Sequence, residues 1–288
     1  MAIKMYKLSN GMEIPAIGFG CYDPDGEDSR AMFRTAMEVG YRYFDTASFY
    51  ETERALGAAI KDSQIPRSEL QIATKVWLDE LGYESTKEAL KRSLDRLQLD
   101  YVDMYIIHWP RPYDKSIDWK QLDIDTWRAM EEMQEEGLIK SLGLSNFYPH
   151  HLDNILAKCK VKPVVDQVEL HPGYSQNVVV DYCKKNAVLP QAWSPLGRRS
   201  TLEDPRLKEV AAKYGVTVAQ LSIQFLLQMD VAMLLKSATK SRMEANLNPI
   251  DFTISDEDMI MLTCMQQDLG CGEHPDFNMP QKSSNREQ

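Results

Sequence analysis

Short apolar segments alternate along the chain with longer segments in which apolar residues recur at helical spacing. Helical spacing is clear at 85–97, 125–136 and 218–228, where apolar side chains fall on one face. Eight apolar segments are short and rich in β-branched, aliphatic or aromatic residues, as strands covered by helices are. They lie at residues 16–20, 42–46, 71–76, 102–108, 139–144, 164–169, 188–193 and 231–236.

Local signals predict where some elements begin and end. Asn10-Gly11 lies between apolar segments and predicts an N-terminal β-hairpin. Ser85 and Glu88 have the spacing of a capping box at a helix start, and Gly137 is typical of a helix stop.

Eight strands that alternate with helices predict an α/β protein, a (β/α)8 TIM barrel. No Pro- or Gly-rich linker divides the 288 residues, so we expect one domain over residues 1–288, with a flexible tail at about 280–288. The pattern alone leaves a doubly wound open sheet as the alternative.

Composition and charge limit the partners and the compartment. The formal net charge of −10 disfavours nucleic acid, because binding a polyanion needs a positive surface. Five scattered cysteines and an N-terminus without a signal-like apolar segment predict a cytoplasmic protein. The apolar stretch 221–235 contains Gln224, Gln228 and Asp230, so we expect no membrane span. No coiled-coil heptad occurs, and we expect a monomer.

The predicted strands end in residues that can carry chemistry. In a (β/α)8 barrel the active site lies at the carboxyl ends of the strands, here called the barrel mouth. Taken singly, each residue has a structural explanation: Asp45 could be a cap, Lys75 an edge lysine and His108 a core histidine. Together, the six strand-end residues predict a site at the barrel mouth. They are Asp45, Lys75, His108, Asn146, Gln167 and Trp193.

Several classes of chemistry lack their residues. A glycosidase needs two carboxylates, whereas the fourth and seventh strands end in HWP and WSP. No metal-ligand motif joins the five histidines, and the adjacent His150 and His151 are expected on different helix faces. No GxSxG elbow occurs, and the GFG at 18–20 has Asp23 where a dinucleotide fingerprint needs glycine.

A Tyr–Lys–Asp–His set remains, and it suits proton donation. A free phenol, with a pKa of about 10, is a poor acid at neutral pH. Tyr50 follows Asp45 closely enough to reach the same barrel mouth. We expect the Lys75 ammonium to lower the pKa of Tyr50, Asp45 to hold Lys75, and His108 to donate a hydrogen bond to a carbonyl oxygen. An ordinary loop tyrosine is the alternative for Tyr50.

The segments that carry this set resemble a known family. GYRYFDTASFY at 40–50 is similar to the GYRxxDTAxxY signature of aldo/keto reductases. The likeness extends from about residue 6 to 279 and implies a catalytic tetrad of Asp45, Tyr50, Lys75 and His108. The further motifs, in the family's order, are ATKVW at 73–77, IHWP at 107–110, GLSNF at 143–147, QVELHP at 167–172, WSPLG at 193–197, and KSAT at 236–239 with Arg242.

The resemblance implies NADPH as the cofactor. The nicotinamide carboxamide would meet residues 145, 146 and 167, the ring would stack on residue 193, and the pyrophosphate would lie under 194–197. The 2′-phosphate would meet the basic segment after the last strand, which favours NADPH over NADH. The expected cofactor-binding residues are Ser145, Asn146, Gln167, Trp193, Ser194, Leu196, Gly197, Lys236, Ser237, Thr239, Arg242 and Asn246.

Three features depart from the family pattern. Trp193 stands where tyrosine is usual, which keeps a stacking surface. Leu235 and Ala245 stand where proline and glutamate are usual, and the absent glutamate weakens the expected adenine contact. Arg198 and Arg199 make the loop more basic than the pattern requires; we expect two solvated surface side chains, and a pyrophosphate contact from either one is the alternative.

The resemblance also implies a substrate pocket with an aromatic lining. A short loop at 111–121 and the HPDF at 274–277 resemble the compact closing loop of bacterial members similar to 2,5-diketo-gluconate reductases. We therefore expect a C-terminal loop over the barrel mouth and an open pocket for small or medium aldehydes, α-ketoaldehydes, diketones or keto-sugars. Core packing explains two of the aromatics, Phe49 and Trp109, almost as well. The expected pocket residues are Tyr22, Phe49, Trp77, Trp109 and Trp119.

These expectations define an NADPH-dependent carbonyl reductase in which Tyr50 donates the proton. The alternative is an NADPH-binding regulatory or redox-sensing barrel protein with little turnover. A pure binding role would place no demand on Tyr50 or His108, and the chain has both, which favours the enzyme.

Overall fold

The eight expected strands form a closed parallel barrel, in a computed structural model that describes residues 4–22, 28–265 and 270–276. The barrel strands are β3 (Ile17–Gly20), β4 (Tyr43–Asp45), β5 (Gln71–Val76), β6 (Val102–Ile107), β7 (Ile139–Ser145), β8 (Val165–Glu169), β9 (Leu189–Trp193) and β10 (Ala232–Leu235). They follow the order of the chain, and β10 pairs with β3 to close the barrel. The open-sheet alternative is therefore wrong.

A two-stranded antiparallel hairpin precedes the barrel. Its strands are β1 (Met5–Lys7) and β2 (Glu13–Pro15). Gly11 in the turn has φ 88°, a left-handed conformation that glycine adopts without strain, so the hairpin expected at Asn10-Gly11 is confirmed. Leu8 and Ile14 are buried in the apolar cluster that fills the barrel interior, so the hairpin covers the end opposite the mouth.

Helices lie on the outside of the barrel. The α-helices of the described ranges are α1 (Ser29–Val39), α2 (Glu53–Ser63), α3 (Tyr83–Leu97), α4 (Trp119–Glu135), α5 (Pro149–Leu156), α6 (Asn177–Lys185), α7 (Ser200–Glu203), α8 (Pro205–Lys213), α9 (Val218–Gln228), α10 (Lys240–Leu247) and α11 (Asp256–Cys264). Helix α9 has the predicted bounds, whereas α4 begins earlier, after the Asp118 side chain that accepts from the Lys120 and Gln121 N–H groups.

The capping box expected at Ser85 and Glu88 is wrong. Helix α3 begins two residues earlier, because Gly82, at φ 115°, lets the chain turn into the helix there. Ser85 therefore lies within the first turn of α3, and its hydroxyl donates to the Leu81 carbonyl at 2.7 Å.

Alternate strand residues face the barrel interior. On β6, Met104 and Ile106 belong to the interior cluster, whereas Tyr105 and Ile107 pack in the larger cluster between strands and helices. Toward the mouth, the inward positions change from apolar to polar within two residues. The pairs are Tyr43 and Asp45, Ala73 and Lys75, and Ile106 and His108. Because the strands are parallel, these polar residues meet at one end of the barrel.

No single helix in the described ranges is long and apolar enough to cross a membrane. Helices α8 and α9 meet the requirement only as a pair, by length and composition, and they are bent by 79° to each other. The tail expected at 280–288 and Phe277 lie outside the described residues.

Candidate active site

Tyr50 lies between the lysine and the histidine of the expected tetrad. Its hydroxyl oxygen is 3.4 Å from Lys75 Nζ and 3.4 Å from His108 Nε2. The Lys75 ammonium also donates to the Asp45 carboxylate and, at 2.9 Å, to the Thr46 carbonyl. The four side chains that the sequence singles out therefore come together at the barrel mouth.

A short turn after β4 positions Tyr50. The residue ends the 3-10 turn Ser48–Tyr50, and the next residue, Glu51, has φ 59°. The loop is tied back to the barrel through Thr52, whose hydroxyl lies 3.0 Å from that of Thr46 and donates to the Cys21 carbonyl at 3.1 Å. These bonds fix both ends of the turn that carries the phenol.

The Asp45–Lys75 pair is almost fully excluded from solvent, with relative exposures of 2% and 1%. Burial alone would lower the pKa of the Lys75 ammonium, but the Asp45 carboxylate and the hydrogen bonds to Asp45 and Tyr50 outweigh it, and the pKa lies above its ordinary value. Burial raises the pKa of Asp45, and Lys75 and the Gln167 amide oppose part of that rise. Lys75 is therefore held as a cation beside the phenol.

The expected lowering of the Tyr50 pKa is wrong in direction. Burial raises the pKa of the Tyr50 phenol above its ordinary value, and the Lys75 charge offsets only part of the effect. The sequence indicates the neighbouring charge but not the depth of the site, and desolvation disfavours the phenolate more than the ammonium favours it. Tyr50 is consequently a protonated phenol with a cation next to it.

Three of the five expected pocket aromatics surround Tyr50 and His108. The Phe49 and Trp77 rings are stacked with centroids 3.8 Å apart, and Trp77 meets the His108 ring edge to face at 4.8 Å. Tyr22, which is 45% exposed, lies with its ring 5.0 Å from that of Tyr50. These rings form an apolar wall beside the phenol.

The other two aromatics have different surroundings. Trp109 is 5% exposed and belongs to the same apolar cluster as Trp77. Trp119, on the first turn of α4, packs with its ring 5.0 Å from that of His151 and 5.8 Å from the Arg111 guanidinium. The contacts of Trp119 thus join it to a histidine cluster and not to Tyr50.

The residues expected to meet the carboxamide form one hydrogen-bonded group. Asn146, at φ 64°, donates from Nδ2 to the His108 carbonyl at 3.0 Å and to Ser145 Oγ at 3.1 Å. Ser145 Oγ in turn donates to the Gln167 carbonyl at 2.9 Å. Trp193 Nε1 donates to Asn146 Oδ1 at 2.9 Å.

Gln167 connects this group to the tetrad. Its amide nitrogen donates to Asp45 Oδ2 at 2.7 Å and to Gln191 Oε1 at 2.8 Å. Gln191 is absent from the expected site, although it lies two residues before Trp193 on β9 and therefore shares its inward face. The alternation of strand residues could have identified it.

The expected phosphate-binding residues lie in two segments, a largely buried loop after β9 and a mostly exposed segment after β10. In the loop after β9, Ser194 and Gly197 have φ 48° and 53°, and the Gly197 N–H donates to the Ser194 carbonyl at 2.7 Å. Leu196 lies between them and accepts at its carbonyl from the Thr201 hydroxyl at 2.7 Å. The loop is thus a tight turn at the barrel mouth.

The basic segment joins β10 to α10. Lys236 and Arg242 are exposed, and Ser237 Oγ accepts from the Thr239 N–H at 3.2 Å. Asn246 lies one helical turn after Arg242 and is half-buried. This segment provides the local positive charge that the acidic chain otherwise lacks.

Arg198 lies on the surface as expected, and its side chain also contacts the protein. Its guanidinium donates to the Cys271 carbonyl at 3.1 Å and lies 5.8 Å from the centre of the Trp193 ring. The Arg198 side chain is 52% exposed to solvent. The Arg199 side chain lies outside the part of the chain that the structure describes.

The expected C-terminal loop is present in residues 270–276, hereafter the C-terminal segment. At one end, the Glu169 carboxylate accepts the N–H groups of Cys271 and Gly272 at 2.6 and 2.9 Å. At the other end, Asp276 accepts from Arg111 at 2.9 Å. These contacts join residues more than 100 positions apart, and no local signal in the sequence indicates them.

The expectation that His150 and His151 face apart is wrong. Their ring centroids are 3.8 Å apart, and both Nε2 atoms lie near Asp276 Oδ1, at 3.1 and 3.3 Å. The first turn of α5 carries both rings, and the shared carboxylate draws them together. Burial lowers the pKa of His151 to about 3, so this ring is neutral at neutral pH.

Two clusters in the described ranges have metal-ligating atoms close together, but neither offers a free donor set. In the first, His151 Nδ1 accepts the Tyr148 N–H, and the Arg111 cation already binds Asp276. In the second, both Glu169 oxygens accept backbone N–H groups beside Cys271. His151 Nε2 has no hydrogen-bond partner in the described residues, but the Arg111 cation on Asp276 and the backbone N–H groups on Glu169 compete with a metal ion, so we assign no cation to either cluster.

Comparison with known proteins supports one family. The model of the aldo/keto reductase family matches residues 16–265. Glyoxal reductase from Bacillus subtilis is 40% identical over 271 residues, which cover 94% of this chain and 95% of that protein. Methylglyoxal reductase DkgA from Escherichia coli (strain K12) is 36% identical over 272 residues, with coverages of 94% and 96%.

Solved structures agree with this assignment. The crystal structure of an aldo/keto reductase from Brucella melitensis matches with a TM-score of 0.84 at 37% identity, covering 91% of this chain and 99% of that one. The structure of a silkworm aldo-keto reductase complexed with NADPH matches with a TM-score of 0.84 at 34% identity, covering 94% and 89%. The chain therefore belongs to the aldo/keto reductase family, whose members are NADPH-dependent oxidoreductases that reduce carbonyl groups.

Proposed function

We propose that Tyr50 donates the proton when this enzyme reduces a carbonyl to an alcohol. The observation that carries the proposal is the position of the Tyr50 hydroxyl, 3.4 Å from both Lys75 Nζ and His108 Nε2. NADPH, when bound, supplies the hydride that the carbonyl carbon accepts. As negative charge develops on the carbonyl oxygen, Tyr50 protonates it, and the Lys75 ammonium stabilises the phenolate that is left.

His108 orients the substrate in this proposal. Its Nε2 lies on the same side of the site as the phenol, and a hydrogen bond from Nε2–H to the carbonyl oxygen would align that oxygen with Tyr50. Asp45 acts through Lys75, because its buried carboxylate keeps the ammonium charged and in place. Each tetrad residue thus has a separate task.

The chemistry of the donor groups fits NADPH. The exposed cations Lys236 and Arg242, with the Ser237 hydroxyl, suit a 2′-phosphate that NADH lacks. Gln167 and Asn146 commit their amide nitrogens within the protein, so their oxygens are the groups left to accept carboxamide N–H. Trp193 would supply the surface for the nicotinamide ring, and the Ser194–Gly197 turn would accommodate the pyrophosphate.

We propose small α-dicarbonyl compounds, such as glyoxal and methylglyoxal, as the substrates. The names of two relatives point to this class, and the aromatic wall of Tyr22, Phe49 and Trp77 beside the phenol suits a small carbonyl compound. A second carbonyl also withdraws electrons from the first and makes it a better hydride acceptor.

A ranking of kcat/KM tests the substrate proposal. With NADPH as the reductant, we expect glyoxal and methylglyoxal to exceed propanal and an aldose by roughly tenfold or more. A preference for large aromatic aldehydes would contradict the proposed substrate class. No turnover of any carbonyl, with NADPH still bound, would instead support the regulatory alternative.

We further propose a cytoplasmic, monomeric, single-domain enzyme that binds neither nucleic acid nor membranes. None of the five cysteines, all of which lie in the described residues, forms a disulfide, as is usual in a reducing compartment. The net charge of −10 opposes binding to polyanions. Light scattering in solution tests the monomer directly, and a mass twice that of the chain would contradict it.

A further inference from the structure

The C-terminal segment contacts the proposed cofactor site through Trp193. A Cβ at position 272 would lie 2.1 Å from Trp193 Cη2, so the backbone of Gly272 packs directly on the edge of the indole. Only glycine allows this approach. The same indole donates from Nε1 to Asn146 Oδ1 at 2.9 Å. Only Trp193 therefore separates Gly272 from Asn146, which is expected to bind the carboxamide.

Glu169 holds Gly272 in this position. Its carboxylate accepts the N–H groups of Cys271 and Gly272 through different oxygens, and His171 Nε2 lies 3.1 Å from Oε1. Glu169 is only 4% exposed, so water cannot readily replace these bonds. Although burial opposes it, hydrogen bonding from His171 and Cys271 keeps the pKa of Glu169 below its ordinary value, and the group remains a carboxylate.

The bond from Trp193 determines which way the Asn146 amide points. Nδ2 of Asn146 already donates to the His108 carbonyl and to Ser145 Oγ, which uses both of its protons. Trp193 uses one lone pair of Oδ1 and leaves the other for a ligand. The tyrosine that the family usually has at position 193 carries no N–H at this place in its ring.

We propose that Glu169 is a positioning residue of the cofactor site, acting through Gly272 and Trp193 to set the Asn146 amide. The inference rests on the proposed NADPH site. Glu169 contacts neither the carbonyl carbon nor the carbonyl oxygen of the substrate. It fixes the C-terminal segment, against which the Trp193 indole packs. Loss of its two bonds should release Gly272, let the indole move, and weaken the bond from Trp193 to Asn146.

Glu169→Gln tests the proposal, because glutamine keeps one acceptor oxygen and replaces the other with a donor. Glu131→Gln is the matched control, since the 6% exposed Glu131 likewise accepts two successive N–H groups, those of Lys160 and Val161, at 2.6 and 2.8 Å. Glu131 lies on α4, away from the mouth. Glu131 accepts both N–H groups at Oε1, whereas Glu169 uses both oxygens. Glu131→Gln therefore controls for the loss of a buried carboxylate charge, and Glu169→Gln loses one of its paired bonds as well.

Two measurements separate positioning from general stability. The first is the indole N–H resonance of Trp193 in the enzyme without cofactor, identified by its disappearance in Trp193→Phe. The second is the Kd of NADP+ by calorimetry. We expect Glu169→Gln to shift or broaden the Trp193 resonance and to weaken NADP+ roughly tenfold. Glu131→Gln should leave both unchanged.

Gly272→Ala provides a second test that leaves Glu169 intact, and it should change both quantities in the same direction as Glu169→Gln. An unchanged Trp193 resonance and Kd in either folded variant would overturn the proposal. Failure of the proposed function is recognised separately, because the parent enzyme itself would then not bind NADP+, and this inference would fall with it.

Discussion

Tyr50, Lys75 and Asp45 lie where the barrel mouth excludes most water, and this exclusion shapes their chemistry. Burial raises the pKa of the Tyr50 phenol, whereas the Asp45 carboxylate raises that of the Lys75 ammonium against the effect of burial. A phenol that stays protonated is the form needed to give a proton, and a fixed ammonium is the form needed to stabilise the phenolate after transfer. The Lys75 cation therefore stabilises the phenolate that proton transfer leaves more than it acidifies the resting phenol.

The direction of the Tyr50 shift predicts the pH dependence of reduction. Reduction needs the protonated phenol, and a raised pKa moves deprotonation to higher pH, so kcat/KM should fall only above the ordinary phenol value of about 10. Initial rates from neutral to alkaline pH, with circular dichroism to verify the fold, measure this. An alkaline decline centred well below pH 10 would contradict a raised pKa for Tyr50.

At the level of single residues, the sequence identifies the tetrad but not its energetics. Asp45, Tyr50, Lys75 and His108 follow from residue types at strand ends and from a spaced signature. The pKa direction at Tyr50 could not be predicted, because desolvation depends on what other segments place around the phenol. The prediction from sequence also lacks roles for Glu169 and Gln191, because these roles depend on contacts with other segments. Of the two, only Gln191 could have been identified by its position, since it shares an inward face with Trp193.

At the level of secondary structure, the segment from β10 to α10 should determine the choice of cofactor. Charged hydrogen bonds to a 2′-phosphate have a larger effect than neutral ones, so Lys236→Ala with Arg242→Ala should weaken NADPH roughly 10- to 100-fold. Binding of NADH should change by less than about threefold, because NADH has no 2′-phosphate. Calorimetric titration of both cofactors measures the ratio.

The exposed pair Arg34 and Lys61, on α1 and α2, provides a matched control that removes the same charge elsewhere. Alanine at both control positions should leave both affinities close to those of the parent. Equal losses for NADPH and NADH in the double variant of Lys236 and Arg242 would refute the assignment of the 2′-phosphate.

The contact between β8 and α6 contains a buried carboxyl whose charge should destabilise the fold. Asp166 is fully buried, its Oδ1 accepts the Phe147 N–H at a long 3.4 Å, and Cys183 Sγ lies 3.7 Å from its Oδ2. Burial raises the pKa of Asp166 from 3.8 to about 7. Because the folded-state pKa is the higher one, the cost grows as pH rises from about 4 to 7 and is constant above that.

Asp166→Asn removes this titration while keeping the shape of the side chain. We expect the variant to be more stable than the parent by ~1–3 kcal/mol at pH 8, with a smaller gain at pH 5. Urea unfolding at the two pH values measures the difference. A loss of stability at pH 8, or the same difference at both pH values, would show that the carboxylate is better accommodated than its burial indicates.

Among the elements themselves, periodicity predicts the strands well and helix starts less well. The eight strands and α9 follow from hydrophobic spacing, whereas α3 begins two residues before the expected Ser85 because Gly82 turns the chain there. His150 and His151 converge on Asp276, a residue far along the chain. A helical wheel cannot anticipate such a shared partner.

At the level of the whole molecule, distant segments complete the mouth. The C-terminal segment extends from Glu169 on β8 to Arg111 beyond β6, and it packs Gly272 on Trp193 between these two anchors. The resemblance to aldo/keto reductases implies a closing loop but not its anchors, since these depend on pairings across the fold.

The most direct test of the account is the rate of Tyr50→Phe, which removes the proposed proton and leaves the ring. With methylglyoxal and NADPH, we predict that kcat falls by roughly 10²–10⁴-fold while the Kd of NADPH stays within about twofold. Tyr105→Phe is the control, because Tyr105 is buried on β6 and its hydroxyl has no hydrogen-bond partner in the described residues. A Tyr50→Phe enzyme as fast as Tyr105→Phe would contradict the central claim.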